Sequence, residues 1–380
     1  MKRINIIFTV IFMVILYIIP IATFVAEKED FSVFENRTLA DEPKLSVKTV
    51  FDGEYFTAAE TYLKDHVIAR DGMLKIYTAT QKYLLFRPSV NGIIDTGDVL
   101  LPYIDPKYAQ SASDDQIAVQ IAEIEKVNKT VSEYGGRFIY VGIPSQATMF
   151  ADDYPAYLSD ISSYNINTAK KFAKELAKIG VEFINAGDFL TKELYFKTDH
   201  HFNIEGGYRV YEAICDSAGI DAVPWEEFVI KDYEQPIYGS RNRKIYKLTS
   251  LSDKISFYEA DLDIPFERYD DQIKVESNVF RFPSDEAVPS YEIYMGGDVA
   301  ETVITTNRPE LPSILIYGDS YTNAPECFAY LSFNETRSLD LRHYWQMSLR
   351  EYVEKYKPDF VVCIRDDGSY VTSEGNGKLN

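Results

Sequence analysis

Helical and strand-like patterns alternate along this chain from about Asp115, and this alternation limits the fold more than any other feature of the sequence. A helical pattern ends near Gly135, and an apolar strand pattern follows at residues 137–143. A second helical pattern at about 166–179 leads to a strand pattern at 181–185. Helices and strands in this order build a parallel sheet with helices on its faces. The sequence therefore predicts an α/β fold.

The alternation stops between Ile220 and Pro312, where the chain is rich in tyrosine and charged residues. Short alternating runs in this stretch predict an antiparallel, β-rich insertion at about 221–312. The alternation then resumes, so one sheet is expected to include strands from both sides of the insertion. The runs in the insertion lie at 255–258, 273–275 and 291–294, and the later elements are a strand at 313–317, helices from about 323 and at about 344–356, and a strand at 359–364.

The N-terminus carries an apolar run at residues 4–25, preceded by Lys2 and Arg3. This run is long enough to cross roughly 30 Å of hydrocarbon. We interpret it as an uncleaved membrane anchor, because Phe24 stands where a signal peptidase requires a small residue, and a cleaved signal peptide is the alternative. The two basic residues remain inside under the positive-inside rule, so everything after about Glu27 is expected outside the cytoplasm, anchored or secreted.

Three further segments complete the predicted organisation. Residues 27–114 combine a charged tether, helical spacing at 51–85 and a small hairpin at 90–103, and we interpret them as a lead-in to the main domain. The main domain is expected at 115–366. Residues 367–380 are predicted to form a frayed polar tail.

The composition excludes several classes of partner. A formal net charge of −20 repels phosphate backbones, so no nucleic acid is expected to bind. The three cysteines, Cys215, Cys327 and Cys363, lack the Cys-x-x-Cys spacing of zinc or redox sites, and we expect them to fill core space. The sequence also lacks the surrounding pattern of a phosphate-binding glycine loop. We expect no metal and no other cofactor.

Two short segments carry the side chains of a serine nucleophile system. Asp199 and His201 stand at alternate positions in one segment, and Ser320 follows a strand-like run and Gly318 in the other. An acid that orients a histidine, and a histidine that takes a proton from serine, are the groups that activate a hydroxyl for attack on a carbonyl. A tight strand-to-helix turn also places backbone amides near a developing oxyanion. We predict Ser320 as nucleophile, His201 as base and Asp199 as orienting acid.

Each segment also has a plainer interpretation. The Gly-Asp-Ser sequence suits an ordinary turn after a strand, and Thr198 or Asp199 could cap a following helix. Asp199, His200 and His201 could instead bind a metal, although adjacent histidines diverge and no third histidine stands at a helical offset. The chain has only four histidines and two are adjacent here, which favours a functional site.

Neighbouring residues are candidates for supporting roles. The Gly239 amide and the Asn242 side chain, both in the insertion, could join the Ser320 amide in an oxyanion hole, or could belong to an ordinary turn. Four residues that flank the triad are expected to line a substrate cleft; they are His200, Phe202, Asp319 and Tyr321.

These motifs resemble the DHHW protein family, which is grouped with the SGNH-hydrolase-like proteins of alginate and other exopolysaccharide O-acetylation. The Asp-His-His and Gly-Asp-Ser elements, in this order, carry most of the resemblance. Phe202 replaces the tryptophan that the family usually has after the second histidine. Other matching segments are Glu35-Asn36-Arg37, the Arg70-Asp71 region, Asn91-Gly92-Ile93, Leu194 to His201, Gly239-Ser240 and Asp340-Leu341-Arg342.

The resemblance implies an SGNH-like three-layer α/β/α sandwich with a mostly parallel sheet and with Asp199, His201 and Ser320 as its triad. It also implies an extracytoplasmic O-acetyltransferase that moves an acetyl group onto an exopolysaccharide or cell-surface glycan through an acyl-serine. The donor acetyl group would come from a membrane-bound O-acyltransferase. Two alternatives remain: a carbohydrate acetyl esterase with the same triad, and a non-catalytic glycan-binding scaffold of an export or acetylation complex.

Overall fold

A computed structural model describes the whole chain except residues 1, 36, 106, 108–109, 159–161, 261, 263, 284–288 and 373–376. Asn36 of the Glu35-Asn36-Arg37 element and parts of the predicted insertion and tail therefore lie outside the described residues. The chain forms two compact units. The smaller unit comprises Met1–Ile93 with Asn242–Ser250, and the larger comprises Ile94–Arg241 with Leu251–Asn380.

The smaller unit begins with an apolar helix. Helices α1 and α2 continue each other through a π-helical turn, so Arg3–Val25 is one helix that is long and apolar enough to cross a membrane. A signal sequence has the same length and composition, so its cleavage stays open. The elements of this unit are α1 (Lys2–Met13), the π-helical turn Val14–Ile18, α2 (Ile19–Val25), β1 (Phe31–Ser32), β2 (Arg37–Thr38), α3 (Val47–Phe51), α4 (Glu54–Asp65), α5 (Arg70–Ala79) and a second π-helical turn Thr80–Leu84.

The rest of the chain alternates strands and helices, with short 3-10 turns between them. The strands are β3 (Ile93–Asp95), β4 (Leu100–Pro102), β5 (Arg137–Ile143), β6 (Glu182–Asn185), β7 (Phe228–Asp232), β8 (Ser256–Ala260), β9 (Glu267–Asp270), β10 (Ile273–Val275), β11 (Glu301–Thr305), β12 (Ser313–Gly318), β13 (Glu335–Leu339) and β14 (Phe360–Asp366). The helices are α6 (Asp114–Glu133), α7 (Gln146–Met149), α8 (Ser162–Lys178), α9 (Ile204–Ala218), α10 (Ser240–Lys244), α11 (Asn323–Ser332) and α12 (Leu349–Tyr356).

Eight strands form one mixed sheet in the order β10-β9-β11-β13-β12-β14-β5-β6. The five strands from β13 to β6 run parallel, and β11, β9 and β10 extend the sheet with antiparallel pairs. The predicted α/β fold, with one sheet that includes strands from both sides of the insertion, is confirmed. The insertion adds an antiparallel edge to the parallel core.

Both faces of the sheet are covered, because alternate residues of its central strands enter two different cores. In β12, Ile314 and Ile316 pack with α9 and α11, whereas Leu315 and Tyr317 pack with α6, α8 and α12. Side chains alternate between the faces of a strand, so an apolar strand such as β12 needs a cover on each side. This is the predicted three-layer arrangement. The three cysteines are buried, as expected of core residues.

Two local predictions differ from the structure. The alternating run at 291–294 forms a 3-10 turn, Tyr291–Ile293, because the Ser290 side chain accepts the Glu292 amide and starts a turn. The C-terminal end is packed rather than frayed. Leu379 is buried, and the carbonyls of Lys378 and Leu379 accept the amides of Leu349 and Arg350, each at 2.9 Å.

Candidate functional site

Ser320 lies on a sharp turn at the carboxyl end of β12. The strand ends at Gly318, and Ser320 starts a 3-10 turn that leads into α11. The Asp319 side chain accepts the Tyr321 amide at 3.0 Å and thereby holds this turn. A Cβ atom on residue 318 would lie 2.0 Å from the Ile364 carbonyl oxygen, so only glycine lets β12 pass so close to β14. The turn leaves the serine partly exposed at the carboxyl ends of the central strands.

The Asp-His segment lies on a short loop that is closed by a bridge between Tyr195 and Phe202. The Gln146 side chain donates to the carbonyls of Phe196 and Asp199, at 2.6 and 2.7 Å. The carboxylate of Asp253, from the insertion, accepts the backbone amides of Lys197 and Thr198 at 2.8 and 2.7 Å. Side chains that are distant in sequence therefore satisfy the loop's backbone and fix its shape.

The two segments bring the predicted triad residues into one hydrogen-bonded chain. His201 Nε2 lies 2.7 Å from Ser320 Oγ, and His201 Nδ1 lies 2.6 Å from Asp199 Oδ1. Asp199 and His201 are 4% and 5% exposed. An imidazole held between a carboxylate and a hydroxyl at these distances can take the hydroxyl proton while the carboxylate stabilises its cation. The contact with Ser320 involves His201 rather than His200, in agreement with what the family resemblance implies.

Asp199 is held as a carboxylate. Burial by itself raises its pKa, but the imidazoles of His200 and His201 and the Ser240 amide together hold the pKa of Asp199 well below its usual range. The second carboxylate oxygen, Oδ2, accepts the Ser240 amide at 2.6 Å, and Oδ1 also accepts the amides of His200 and His201. The carboxylate is thus fixed in orientation as well as in charge.

The His201 imidazole is stacked on an aromatic ring that the sequence analysis did not identify. The rings of His201 and Tyr291 lie 3.8 Å apart with 3° between their planes, and Tyr321 contacts the imidazole edge to face at 5.1 Å. Tyr291 belongs to the 3-10 turn in the insertion. It lies 90 positions from His201 in sequence, so no local pattern could have paired the two. We regard Tyr291 as a positioning residue that fixes the plane of the imidazole.

Replacing this ring is expected to slow turnover. Tyr291→Leu removes a stacked aromatic contact of about 0.5–1.5 kcal/mol, so we expect kcat to fall roughly twofold to tenfold while KM changes little. Tyr291→Phe keeps the ring and should retain kcat near the wild-type value. Steady-state kinetics of both variants test this role, and an equal loss of kcat in the two variants would contradict it.

The residues predicted to line a cleft lie in different environments. His200 is partly exposed, and its Nδ1 lies 3.2 Å from Ser240 Oγ, so its ring borders the site. Tyr321 is buried and donates its hydroxyl to the His200 carbonyl at 2.6 Å, which ties the serine turn to the Asp-His loop. Phe202 is fully buried in the core, because alternation along the bridge turns His201 to one side and Phe202 to the other. It therefore supports the loop from beneath rather than lining a cleft.

The other two predicted oxyanion donors, the Gly239 amide and the Asn242 side chain, are buried or already hydrogen-bonded. The Gly239 amide donates to Thr198 Oγ1 at 3.1 Å, and a Cβ atom at position 239 would lie 2.4 Å from the Thr198 carbonyl oxygen. Gly239 thus lets the insertion approach the Asp-His loop closely, and its amide is already used by Thr198. Asn242 is buried and groups with the smaller unit, and its part in an oxyanion hole stays a prediction.

Among the described residues, two groups of side chains have the composition of metal ligands. In the first, ligand atoms of Asp199, His200 and His201 lie within 4.8 Å of one another, but both ring nitrogens of His201 are in contact with Asp199 and Ser320. The second group consists of Asp298, Asp340 and His343, and Arg342 forms ion pairs with both of its carboxylates. The hydrogen-bonded triad and the arginine therefore compete with a cation at each place.

Two carboxyl groups near the start of α11, those of Asp319 and Glu326, have raised pKa values. Burial and the neighbouring Asp366 carboxylate raise the pKa of Asp319 to about 6, although Arg365 opposes the shift. Burial also raises the pKa of Glu326 to about 7, although its hydrogen bond with Ser338 opposes the shift. Both groups are harder to ionise in the folded chain than in the unfolded one.

These groups predict that stability falls as pH rises toward neutrality. Between about pH 4, near the unfolded pKa of glutamic acid, and pH 7, folded Glu326 keeps a proton that the unfolded chain has lost. The ionisation of Glu326 should cost on the order of 3 kcal/mol by pH 8. In Glu326→Gln, the free energy of unfolding should fall less as pH rises. The ionisation of Asp319 should still cause a smaller fall, at lower pH. Urea unfolding at pH 5 and pH 8 measures the effect, and an unchanged slope in the variant would contradict it.

Comparisons with known proteins agree with this architecture. Residues 103–236 match the family model described as the SGNH hydrolase-like domain of the acetyltransferase AlgX. The matched segment contains Asp199 and His201 and ends before Ser320. The predicted resemblance to SGNH-hydrolase-like acetyltransferases is thus confirmed for this segment. Among curated proteins, no sequence matches the chain.

Solved structures share the fold at low sequence identity. A DHHW family protein from Eubacterium siraeum DSM 15702 is 19% identical, with a TM-score of 0.59, over 77% of this chain and 97% of the other. PatB1 from Bacillus cereus, solved with a sulfonyl adduct, is 19% identical, with a TM-score of 0.61, over 75% of this chain and 97% of the other. The predicted SGNH-hydrolase-like fold is therefore confirmed.

Proposed function

We propose that this protein is an extracytoplasmic O-acetyltransferase that acetylates hydroxyl groups of a polysaccharide or cell-surface glycan. The observation that carries the proposal is the chain of contacts from Asp199 through His201 to Ser320, at 2.6 and 2.7 Å. The match of residues 103–236 to an acetyltransferase domain supports acetyl as the transferred group. In this proposal Ser320 is the nucleophile, His201 the general base and acid, and Asp199 the orienting acid.

The first half of the reaction forms an acetyl-serine. Ser320 Oγ attacks the carbonyl carbon of an acetyl donor while His201 Nε2 takes the hydroxyl proton, and the carbonyl oxygen becomes an oxyanion. The tetrahedral intermediate then collapses, the bond to the donor's oxygen or sulfur breaks, and His201 returns the proton to that leaving group. Asp199 favours the productive tautomer and stabilises the imidazolium that exists between these steps.

The second half transfers the acetyl group to the glycan. A sugar hydroxyl attacks the acetyl carbonyl of Ser320 while His201 takes the hydroxyl proton, and collapse of the second intermediate restores the serine hydroxyl with that proton. Water at the same place would hydrolyse the acetyl-serine instead. Transfer therefore depends on an acceptor that reaches the serine faster than water does, and this competition separates a transferase from an esterase.

The oxyanion in both halves needs fixed donors. The Ser320 amide, at the start of the 3-10 turn that leads into α11, is the first candidate, since the serine's own amide serves this purpose in many acyl-transfer sites. The Gly239 amide would first have to exchange its hydrogen bond with Thr198. We therefore assign Gly239 no part in the proposed chemistry.

The outer face of a membrane is the proposed location. The apolar helix Arg3–Val25 follows a basic N-terminus, which favours an anchor with the rest of the chain outside the cytoplasm. An O-acyltransferase within the membrane is the proposed source of the acetyl group. The strong negative charge of the chain favours a neutral glycan over a polyanionic one.

The partition of an acetyl donor between sugar and water tests the proposal. The full chain in detergent is mixed with 4-nitrophenyl acetate and neutral oligosaccharides, and mass spectrometry follows acetyl-protein, acetyl-sugar and free acetate. We expect an acetyl adduct on the peptide that contains Ser320 and acetyl-sugar in excess of free acetate. Acetate as the sole product would establish the esterase alternative, and a folded protein without adduct or turnover would refute acyl transfer through Ser320.

A further inference from the structure

The smaller unit exposes large apolar side chains that the proposed chemistry does not use. Phe51, at the end of α3, is 88% exposed, and Phe86, just after the second π-helical turn, is 80% exposed. Exposed single apolar residues are common in soluble proteins, but contiguous apolar surfaces mark contact with a partner or a membrane. Exposed apolar side chains that share one face of this unit would therefore mark such a contact.

Helix α5 has its apolar side outward. Met73, Ile76 and Tyr77 are exposed at spacings of three and four residues, which places them on one face of the helix. Thr78 and, in the following π-helical turn, Gln81 are the buried side chains of this segment. A helix on a water-soluble core has the opposite arrangement, with apolar residues buried and polar residues exposed. We call the face of Met73, Ile76 and Tyr77 the outer face of α5.

The apolar N-terminal helix contacts the chain just before the start of α5. Thr23, in the last turn of α2, is 4% exposed, and its hydroxyl accepts the Ile68 amide at 3.1 Å. Lys28 also donates to the Thr23 carbonyl oxygen. Ile68 lies in the turn between α4 and α5, so α5 begins two residues from the point that holds the end of the apolar helix. A helix that leaves a bilayer at Thr23 therefore places the start of α5 at the lipid surface.

We propose that the outer face of α5 rests in the outer lipid leaflet, with phospholipid as its occupant. The proposal depends on the retained membrane anchor proposed above. Tyr77 suits this position, because tyrosine prefers the boundary between hydrocarbon and water. Basic and acidic residues nearly balance in the smaller unit after residue 26, whereas the whole chain is strongly acidic, so this unit can approach an anionic leaflet with little repulsion.

A fluorescent reporter at the outer face tests the proposal. The full-length chain carrying Ile76→Trp is reconstituted in phosphatidylcholine vesicles with and without brominated acyl chains, which quench nearby tryptophan. Val119→Trp, at an exposed position of α6 in the larger unit, is the matched control, and both variants share the native Trp225 and Trp345. We expect a blue shift and a bromine-dependent loss of emission for Ile76→Trp and neither change for Val119→Trp.

Flotation of the same vesicles separates the two proposals. A chain that floats with the lipid but shows equal quenching at positions 76 and 119 would overturn contact between the outer face and lipid, and would leave a protein partner as its occupant. A chain that does not float would refute the anchor on which the proposal rests. Met73→Trp provides a second reporter on the same face, and circular dichroism establishes that each variant is folded.

Discussion

Ser320→Ala is expected to abolish acetyl transfer and the acetyl adduct while the protein remains folded. The serine hydroxyl is the only group of the triad that can form the ester, so its loss stops covalent catalysis, and residual turnover should fall by at least about 10⁴-fold. The substitution removes one partly exposed oxygen, so the free energy of unfolding should change little. Initial rates with 4-nitrophenyl acetate and intact-protein mass spectrometry measure the two effects.

A matched control for this substitution exists near the carboxyl end of β5, which β14 separates from β12 in the sheet. Pro144 separates Ser145 from the end of β5, and the Ser145 hydroxyl lies near Thr148 rather than a histidine. Ser145→Ala should therefore retain transfer and adduct formation. If Ser320→Ala kept wild-type turnover, or if both variants lost it equally, Ser320 would not be the nucleophile.

Asp199→Asn is expected to lower kcat by about 10⁴-fold without removing the hydrogen-bonding shape of the site. An amide in place of the carboxylate can donate toward His201 Nδ1, which favours the tautomer that cannot take the serine proton at Nε2. It also leaves the imidazolium without a counter-charge. Because the folded pKa of Asp199 is depressed, its carboxylate stabilises the fold above the unfolded pKa and loses this effect only as pH falls through the folded pKa.

The kinetic and structural parts of this prediction can be separated. Steady-state kinetics at neutral pH give the loss of kcat, and urea unfolding at the same pH gives the loss of stability. Asp253→Asn is the comparison, because Asp253 holds the backbone of the same loop but does not contact His201 through any described hydrogen bond. A variant of Asp199 that kept wild-type kcat, with only its stability reduced, would show that the carboxylate does not orient the base.

The sequence predicted the parallel core of the fold because its strands are apolar on both faces. The pattern at 137–143 coincides with β5, and the pattern at 313–317 matches β12 except for its last residue. In contrast, β13 was not predicted, since Glu335 and Arg337 give it a polar pattern although both belong to a central strand. Arg337 is accommodated by an ion pair with Glu335 and by the face of Tyr356. Such contacts arise only in the folded chain.

The predicted triad residues have local sequence signals, whereas the residues that support them do not. Asp199 and His201 are two positions apart, and the turn at Ser320 has a local signature, so short patterns were enough to propose all three as site residues. Tyr291, Asp253 and Gln146 act through contacts across roughly 50 to 90 positions of the chain. Nothing in their immediate sequence distinguishes them from other buried or surface residues. Their roles depend on the topology of the sheet.

The insertion contributes directly to the geometry of the triad, since Tyr291 stacks on the imidazole, Asp253 holds the loop backbone and the Ser240 amide binds the Asp199 carboxylate. A shortened protein that keeps only the parallel core would therefore contain Asp199, His201 and Ser320 without the contacts that align them. The same contacts limit what can be exchanged between relatives. Exchanging this segment with that of a relative would replace the contacts that align Asp199, His201 and Ser320, so any such exchange would have to preserve them.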